Sequence, residues 1–292
     1  MSASLVEWAP AKINLTLRVL GRRADGYHEL ESLVAFAELA DTLVLQPSDN
    51  AALDVSGPFA AASGPVAENL VLKALGALRE RVAGLKAGHF VLEKNVPVAA
   101  GLGGGSADAA AALRLLARLN GLPLDDPRLA SAARATGADV PVCLAPSVRI
   151  MRGVGDELSA PLDLPSLPAL LVNPGVALAT HDVFAKFTAA QAGERPPADV
   201  PGTPDAAITF LHAYGNDLTQ AAIACVPAVA EVIERLRALP GARLVRMSGS
   251  GATCFALFAS AGDAAGATRL LTAERKGWWV SATTLGPGRK HP

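Results

Sequence analysis

Pro97-Val98-Ala99-Ala100-Gly101-Leu102-Gly103-Gly104-Gly105-Ser106-Ala107-Asp108 sets four glycines and a serine directly ahead of an Ala/Leu/Arg-rich run that ends at Asn120-Gly121. The run reads as a helix over residues 104–119, stopped by a glycine signal. Glycines free the backbone for close approach to an anion, and the first unpaired N–H groups and positive dipole end of the helix face the same way. The loop is therefore a candidate cradle for a nucleotide triphosphate. No Gly-Lys-Ser/Thr follows, so it is not a Walker loop, and no ribose-binding acid is evident downstream, which weakens a dinucleotide site. A tight connection with no ligand is the alternative that the glycines alone leave open.

Outward from this loop the chain is mixed α and β. Residues 5–20 and 31–45 read as strands, 68–81 as a helix and 89–93 as a strand. Residues 126–135 read as a helix and 140–150 as a strand interrupted by Pro146. Pro161, Pro165 and Pro168 mark a boundary, placing one domain over 1–160 and a second over 161–292. In the second, strands are expected at 169–173, 242–247, 254–259 and 278–283, with helices at 227–239 and 263–274. That order fits an α+β fold with helices on one face of an antiparallel sheet. Residues 188–206, rich in Pro, Ala and Gly, read as an exposed excursion.

The 292 residues are 51% hydrophobic and 18% charged, with 26 basic and 27 acidic side chains. This is ample core material for two domains sharing a cleft. The near-neutral balance gives no general reason to bind nucleic acid or an anionic membrane. Neither an export signal nor a membrane span is apparent, and Cys143, Cys225 and Cys254 are odd in number and set among apolar neighbours. They read as reduced core residues, and a cytoplasmic location is expected. Oligomeric state leaves no readable sign.

Three further segments bear on chemistry. Ala9-Pro10-Ala11-Lys12-Ile13-Asn14-Leu15 puts Lys12 and Asn14 on one side of an apolar strand. A lysine buried there needs an anionic partner, either a carboxylate or a substrate phosphate; a solvated edge lysine is the alternative. Gly137-Ala138-Asp139-Val140-Pro141-Val142 offers Asp139 as that partner, although an Asp at such a junction can equally be a turn hydrogen-bonder. A carboxylate that accepts a hydroxyl proton beside a cation suits phosphoryl transfer to an alcohol. Ser248-Gly249-Ser250-Gly251-Ala252-Thr253 is a second Gly-rich turn able to close over the phosphates or the substrate.

With APAKINL, RADGYHELES, GLGGGSADAA, GADVPV and SGSGAT in this order over nearly the whole chain, the sequence resembles the GHMP kinases. The resemblance implies a ribosomal-S5-like N-terminal domain, a ferredoxin-like C-terminal domain, and an active site in the cleft between them. It implies an ATP-dependent phosphotransferase with an alcohol acceptor, and Mg²⁺ accompanying ATP with no metal ligand named. It also implies Lys12 and Asp139 as the catalytic pair, and Pro97, Val98, Ala99, Ala100, Gly101, Leu102, Gly103, Gly104, Gly105, Ser106 and Ala107 around the ATP phosphates. Asp25-Gly26-Tyr27-His28 is similar to the branch acting on a small cytidine-diphosphate alcohol in non-mevalonate isoprenoid synthesis. There Asn14, Tyr27, His28 and Phe184 would meet the substrate, His28 at the cytosine edge and Tyr27 and Phe184 on its two faces. An aromatic pair can clamp a flat base, and histidine offers both a donor and an acceptor.

Two departures stand out. Ala99-Ala100 occupies positions where glycines are expected, and Asp108 is expected in the first helical turn, where it would repel phosphate if turned inward. Asn69 is a candidate neighbour of the adenine. A GHMP kinase acting on homoserine, mevalonate or a sugar is the rival within the family. Outside it stands a nucleotide-binding sensor without turnover, against which the retention of both Lys12 and Asp139 argues.

Overall fold

The computed structural model describes residues 4–24, 26–188 and 200–288. The first half contains β1 (Leu5–Asn14), β2 (Arg18–Arg22), β3 (His28–Pro47), β4 (Ala52–Ser56), α1 (Leu70–Arg79), β5 (Gly88–Glu93), α2 (Gly104–Asn120), α3 (Pro127–Thr136), α4 (Val140–Leu144), β6 (Arg149–Gly153) and β7 (Glu157–Leu158). The second contains β8 (Leu167–Asn173), α5 (Thr180–Lys186), α6 (Pro204–His212), α7 (Thr219–Cys225), α8 (Ala228–Arg237), β9 (Leu244–Met247), β10 (Cys254–Leu257), α9 (Ala261–Glu274) and β11 (Trp279–Gly286).

One sheet runs through both halves in the order β4-β5-β3-β11-β8-β10-β9, with β1, β2 and β6 also paired to the long β3. The halves are stitched by β11, which pairs along β8 from Trp279 to Leu285 and reaches β3 at Ala37 and Phe36. Apolar alternation explains the layering. One cluster packs α1, α2 and α3 on β1, β3 and β5, a central one joins the halves, and a third packs α8 and α9 on β8 and β10.

The helix α2 is buried for most of its length, and Arg114 ties it to β1. Its guanidinium donates to Glu7 at 3.0 Å, to the Trp8 carbonyl at 2.7 Å and to the Cys143 carbonyl at 2.8 Å. Gly121 closes the helix in a left-handed conformation, as its C-terminal signal implies.

Several expectations need correction. The expected strand over 140–150 is helix α4 followed by strand β6. Pro141 falls in the first helical turn, where its fixed φ and missing N–H are tolerated, and the branched residues that mimicked a strand are buried on the helix. The single strand expected over 5–20 breaks after Asn14 and resumes at Arg18. The helices α5 and α7 have seven residues each, too short to display a period. Residues 189–199 of the expected excursion lie outside the described residues, and its far end enters α6, capped by Thr203. Asn69 caps α1 by accepting from the Val71 N–H. All three cysteines are free, but only Cys143 and Cys254 are core, their thiols pushed up to about 12 by burial. Cys225 is half-buried, its thiol donating to the Asp182 carbonyl.

Candidate active site

The Gly-rich loop emerges from β5 and turns into α2 at Gly103, whose left-handed φ of 61° sets the helix start. No side chain caps this terminus, which leaves its leading N–H groups without a side-chain partner, and Gly103–Ser106 line the cleft. Behind Gly103 lies Lys12, for a Cβ built on Gly103 would stand 3.1 Å from Lys12 Cε and 3.8 Å from Asp139 Oδ2. Any larger residue would press on this pair.

Lys12 sits just past an irregularity in the β1–β3 register between Pro10 and Lys12, of the kind that re-aims a side chain. Its Nζ donates to Asn14 Oδ1 at 2.9 Å and pairs with Asp139 Oδ2 at 2.9 Å. The Lys12 side chain is 5% exposed and that of Asp139 32%, so the cation is packed in place and the carboxylate opens to the cleft. Asn14 in turn donates from Nδ2 to Ser32 Oγ at 2.7 Å, which fixes its amide and hence the acceptor that Lys12 sees. The pairing anticipated from sequence is present, although Asp139 precedes a helix rather than a strand.

The loop at Ser248–Thr253 meshes with the phosphate loop. Ser248 Oγ accepts from the Asn14 N–H at 3.1 Å and donates to the Gly101 carbonyl at 2.9 Å, and the Thr253 N–H donates to the Ala100 carbonyl at 3.2 Å. Gly101 has φ 75°, and a Cβ there would approach the Ser248 carbonyl oxygen to 2.4 Å. Ala99, where a glycine was expected, adopts φ 50° despite its Cβ, a conformation that costs about 1–2 kcal/mol for a non-glycine residue.

Asp108 lies in the second turn of α2, not the first, and does not face the phosphates. It is buried against Lys94 Nζ at 2.7 Å, and the same ammonium pairs with Asp41. Asp41 Oδ1 also accepts from the Asn95 and Val96 N–H groups at the entrance to the phosphate loop. Burial, reinforced by the Asp41 carboxylate and opposed by Lys94, raises the Asp108 pKa well above the ordinary range.

A cleft of about 1270 Å³ joins these parts. Lys12, Asn14, Tyr27, His28, Asp139 and Phe184 all line it, as do Pro97–Gly101 and Gly103–Ser106. Leu102 and Ala107 do not; both are turned into the core. At the far end His28 stacks on Phe184, centroids 4.7 Å apart and planes at 22°, with Phe187 edge-on. Thus His28, expected at the base edge, instead lies stacked on Phe184, while Tyr27 stands 67% exposed. Asp25, of the same hairpin, lies outside the described residues. Sequence reading missed Asp41, Lys94 and Ser32, which are far from the motifs along the chain, and Thr180, whose hydroxyl is 2.9 Å from that of Ser250.

The model of the GHMP kinases N terminal domain matches residues 69–146, and that of the GHMP kinases C terminal matches residues 202–274. The chain belongs to the GHMP kinase family. This GHMP kinase is 58% identical over 285 residues to the 4-diphosphocytidyl-2-C-methyl-D-erythritol kinase of Xanthobacter autotrophicus, covering 95% of this chain and 97% of that one. It is 53% identical over 283 residues to an enzyme of that name from Methylorubrum extorquens, again covering 95% and 97%. A crystal structure of 4-(cytidine 5'-diphospho)-2C-methyl-D-erythritol kinase superposes with a TM-score of 0.79 at 38% identity, covering 97% of this kinase and all of that chain. A homoserine kinase from Cytophaga hutchinsonii shares the fold at TM-score 0.72 and 19% identity, over 99% and 96% of the two chains. The α+β GHMP fold and ATP-dependent phosphoryl transfer follow from the family.

Proposed function

We propose that the chain transfers the γ-phosphoryl group of ATP to the 2-hydroxyl of 4-diphosphocytidyl-2-C-methyl-D-erythritol, giving the 2-phosphate and ADP. This is a step in non-mevalonate isoprenoid precursor synthesis. The observation that carries the reading is the Lys12–Asp139 pair at 2.9 Å, set directly behind Gly103 of the phosphate loop in a cleft whose other end is aromatic. High identity to enzymes of that name supports the choice of acceptor over homoserine, mevalonate or galactose.

In this mechanism Asp139 accepts the proton of the acceptor hydroxyl as that oxygen bonds to the γ-phosphorus and the bond to the ADP oxygen breaks. Its Oδ2 is held by Lys12, leaving Oδ1 for the hydroxyl. Lys12, oriented by Asn14, stabilises the charge on the transferring group. The leading N–H groups of α2 hold the phosphates. Among the described residues no group of three or more His, Cys, Asp or Glu side chains forms a metal cage. Mg²⁺, which suits phosphate and water oxygens better than such a cage, would neutralise phosphate charge when bound. Tyr27, His28 and Phe184 are assigned to the cytosine. With His28 already against Phe184, the base would enter by opening this stack or by lying on the other face of His28.

The reading also includes a division near residue 160, a cytoplasmic location, and no role for nucleic acid or membrane; no helix among the described residues is long and apolar enough to cross a bilayer. The test is ATP-to-ADP conversion by the purified protein with the cytidyl alcohol, homoserine, mevalonate and galactose in parallel. Turnover with the cytidyl alcohol alone is expected. Asp139→Asn should lower kcat by roughly 10²–10⁴, and Lys12→Ala should abolish turnover. Preference for another alcohol would leave the kinase and overturn the acceptor; no turnover of any of them would favour the sensor.

A further inference from the structure

Among the described residues, the charged side chains lining the cleft are Lys12, Arg22 and Asp139, with His28 and His181 as titratable neighbours. Lys12 and Asp139 neutralise one another at 2.9 Å. Among the described residues no carboxylate pairs with Arg22. Its Nε donates to the Gly26 carbonyl at 3.4 Å, while the adjacent Arg23 pairs with Glu29.

The position of Arg22 is fixed by register. Strands β2 and β3 pair Arg22 directly with His28, and the guanidinium shares the rim of the cleft with the imidazole stacked on Phe184. The charge is felt there, since His28 is held below its ordinary value first by burial and then by Arg22. A neutral imidazole keeps one donor and one acceptor.

An acceptor with a base at one end and a reacting hydroxyl at the other must pass its diphosphate between His28 and the Lys12–Asp139 pair. That diphosphate brings negative charge into a cleft whose other cation, Lys12, is engaged by Asp139 and assigned to the transferring phosphoryl group. A guanidinium fork suits two phosphate oxygens in both charge and geometry. We propose that Arg22 is a specificity-determining residue that binds the diphosphate of the acceptor and so selects nucleoside-diphosphate alcohols over uncharged ones. This rests on the cytidyl reading above.

The experiment compares the full-length wild type with Arg22→Gln and Arg22→Lys, which lie on an exposed hairpin end. Initial rates are measured with the cytidyl alcohol, and equilibrium binding with CDP and with cytidine. Arg22→Gln should raise the acceptor KM roughly two- to fivefold, the range for an exposed charge pair, with the loss carried by KM rather than kcat and no matching change in the KM for ATP. Arg22→Lys should fall between. CDP binding should weaken by the same factor in Arg22→Gln and lose much of its salt dependence, while cytidine binding is retained. An unchanged acceptor KM, or equal losses for CDP and cytidine, overturns the proposal. If the wild type binds CDP better than cytidine, Arg22→Gln removes that preference, and the cytidyl alcohol is not turned over, the catalytic reading falls and the Arg22 contact stands. If it binds neither, both fall.

Discussion

Replacing Asp108 by Asn removes one negative charge from a buried group of two carboxylates and one ammonium. The Asp108 carboxyl is held above the usual aspartate range by burial first, then by Asp41, with Lys94 opposing. A raised folded-state pKa means that the native protein holds this proton more tightly than the unfolded chain does. The resulting stabilisation is complete below the unfolded value near ~4 and is lost as pH rises through the folded pKa. Asparagine keeps an oxygen for Lys94 and has no such proton. Urea unfolding at closely spaced pH values, followed by tryptophan fluorescence, gives the stability of each protein. The variant's stability relative to wild type should climb with pH by up to about 1.4 kcal/mol per pH unit and level off beyond the folded pKa of Asp108. Groups outside the Asp41–Lys94–Asp108 cluster titrate alike in both proteins and cancel in the difference, so the slope reports the cluster that Asp108 belongs to, and any fixed cost of the amide shifts the line without tilting it. A difference flat from pH 4.5 to 7.5, values chosen to straddle about three units above the unfolded pKa, would refute a raised pKa for Asp108.

Other outcomes follow from the same geometry. Lys94→Met leaves both carboxylates without their cation and should cost about 3–5 kcal/mol, read by urea unfolding; adding Asp108→Asn should recover part of it. Gly101→Ala drives a Cβ to 2.4 Å from the Ser248 carbonyl oxygen in a left-handed conformation. It should cost about 2–5 kcal/mol from strain and overpacking together, with a rise in the KM for ATP; an unchanged melting temperature would show that the two loops are not tightly meshed. Phe184→Ala removes the partner of His28 and should raise the acceptor KM while leaving the KM for ATP alone. A parallel rise in both would place Phe184 in general packing instead.

What can be read in advance is whatever the chain writes locally. The glycine run, the helix behind it and its Asn120-Gly121 stop are contiguous, and Lys12 with Asn14 shows the two-residue period of a strand. Asp139 is legible as the one acid of the GADVPV segment, in a chain whose strand lysine calls for an anionic partner. The Lys94 cluster is not, since its partners lie 53 and 14 positions away and nothing local marks a buried ion pair. The segment 140–144 misleads because Val-Pro-Val-Cys-Leu has strand composition, and only tertiary packing makes it a helix turn. Asp108 is displaced by one turn from its expected place, which changes its neighbour from phosphate to Lys94.

The seam made by β11 has a consequence for synthesis on the ribosome. In chain order this strand comes after every other strand, yet it alone bridges β3 to β8 in the continuous path of the sheet. Until it emerges, the nascent chain carries two separate sheets, each with a bare edge open to mispairing. The meshed loops at Gly101 and Ser248 join the same two halves, so a competent phosphate cradle is expected only once those halves have docked.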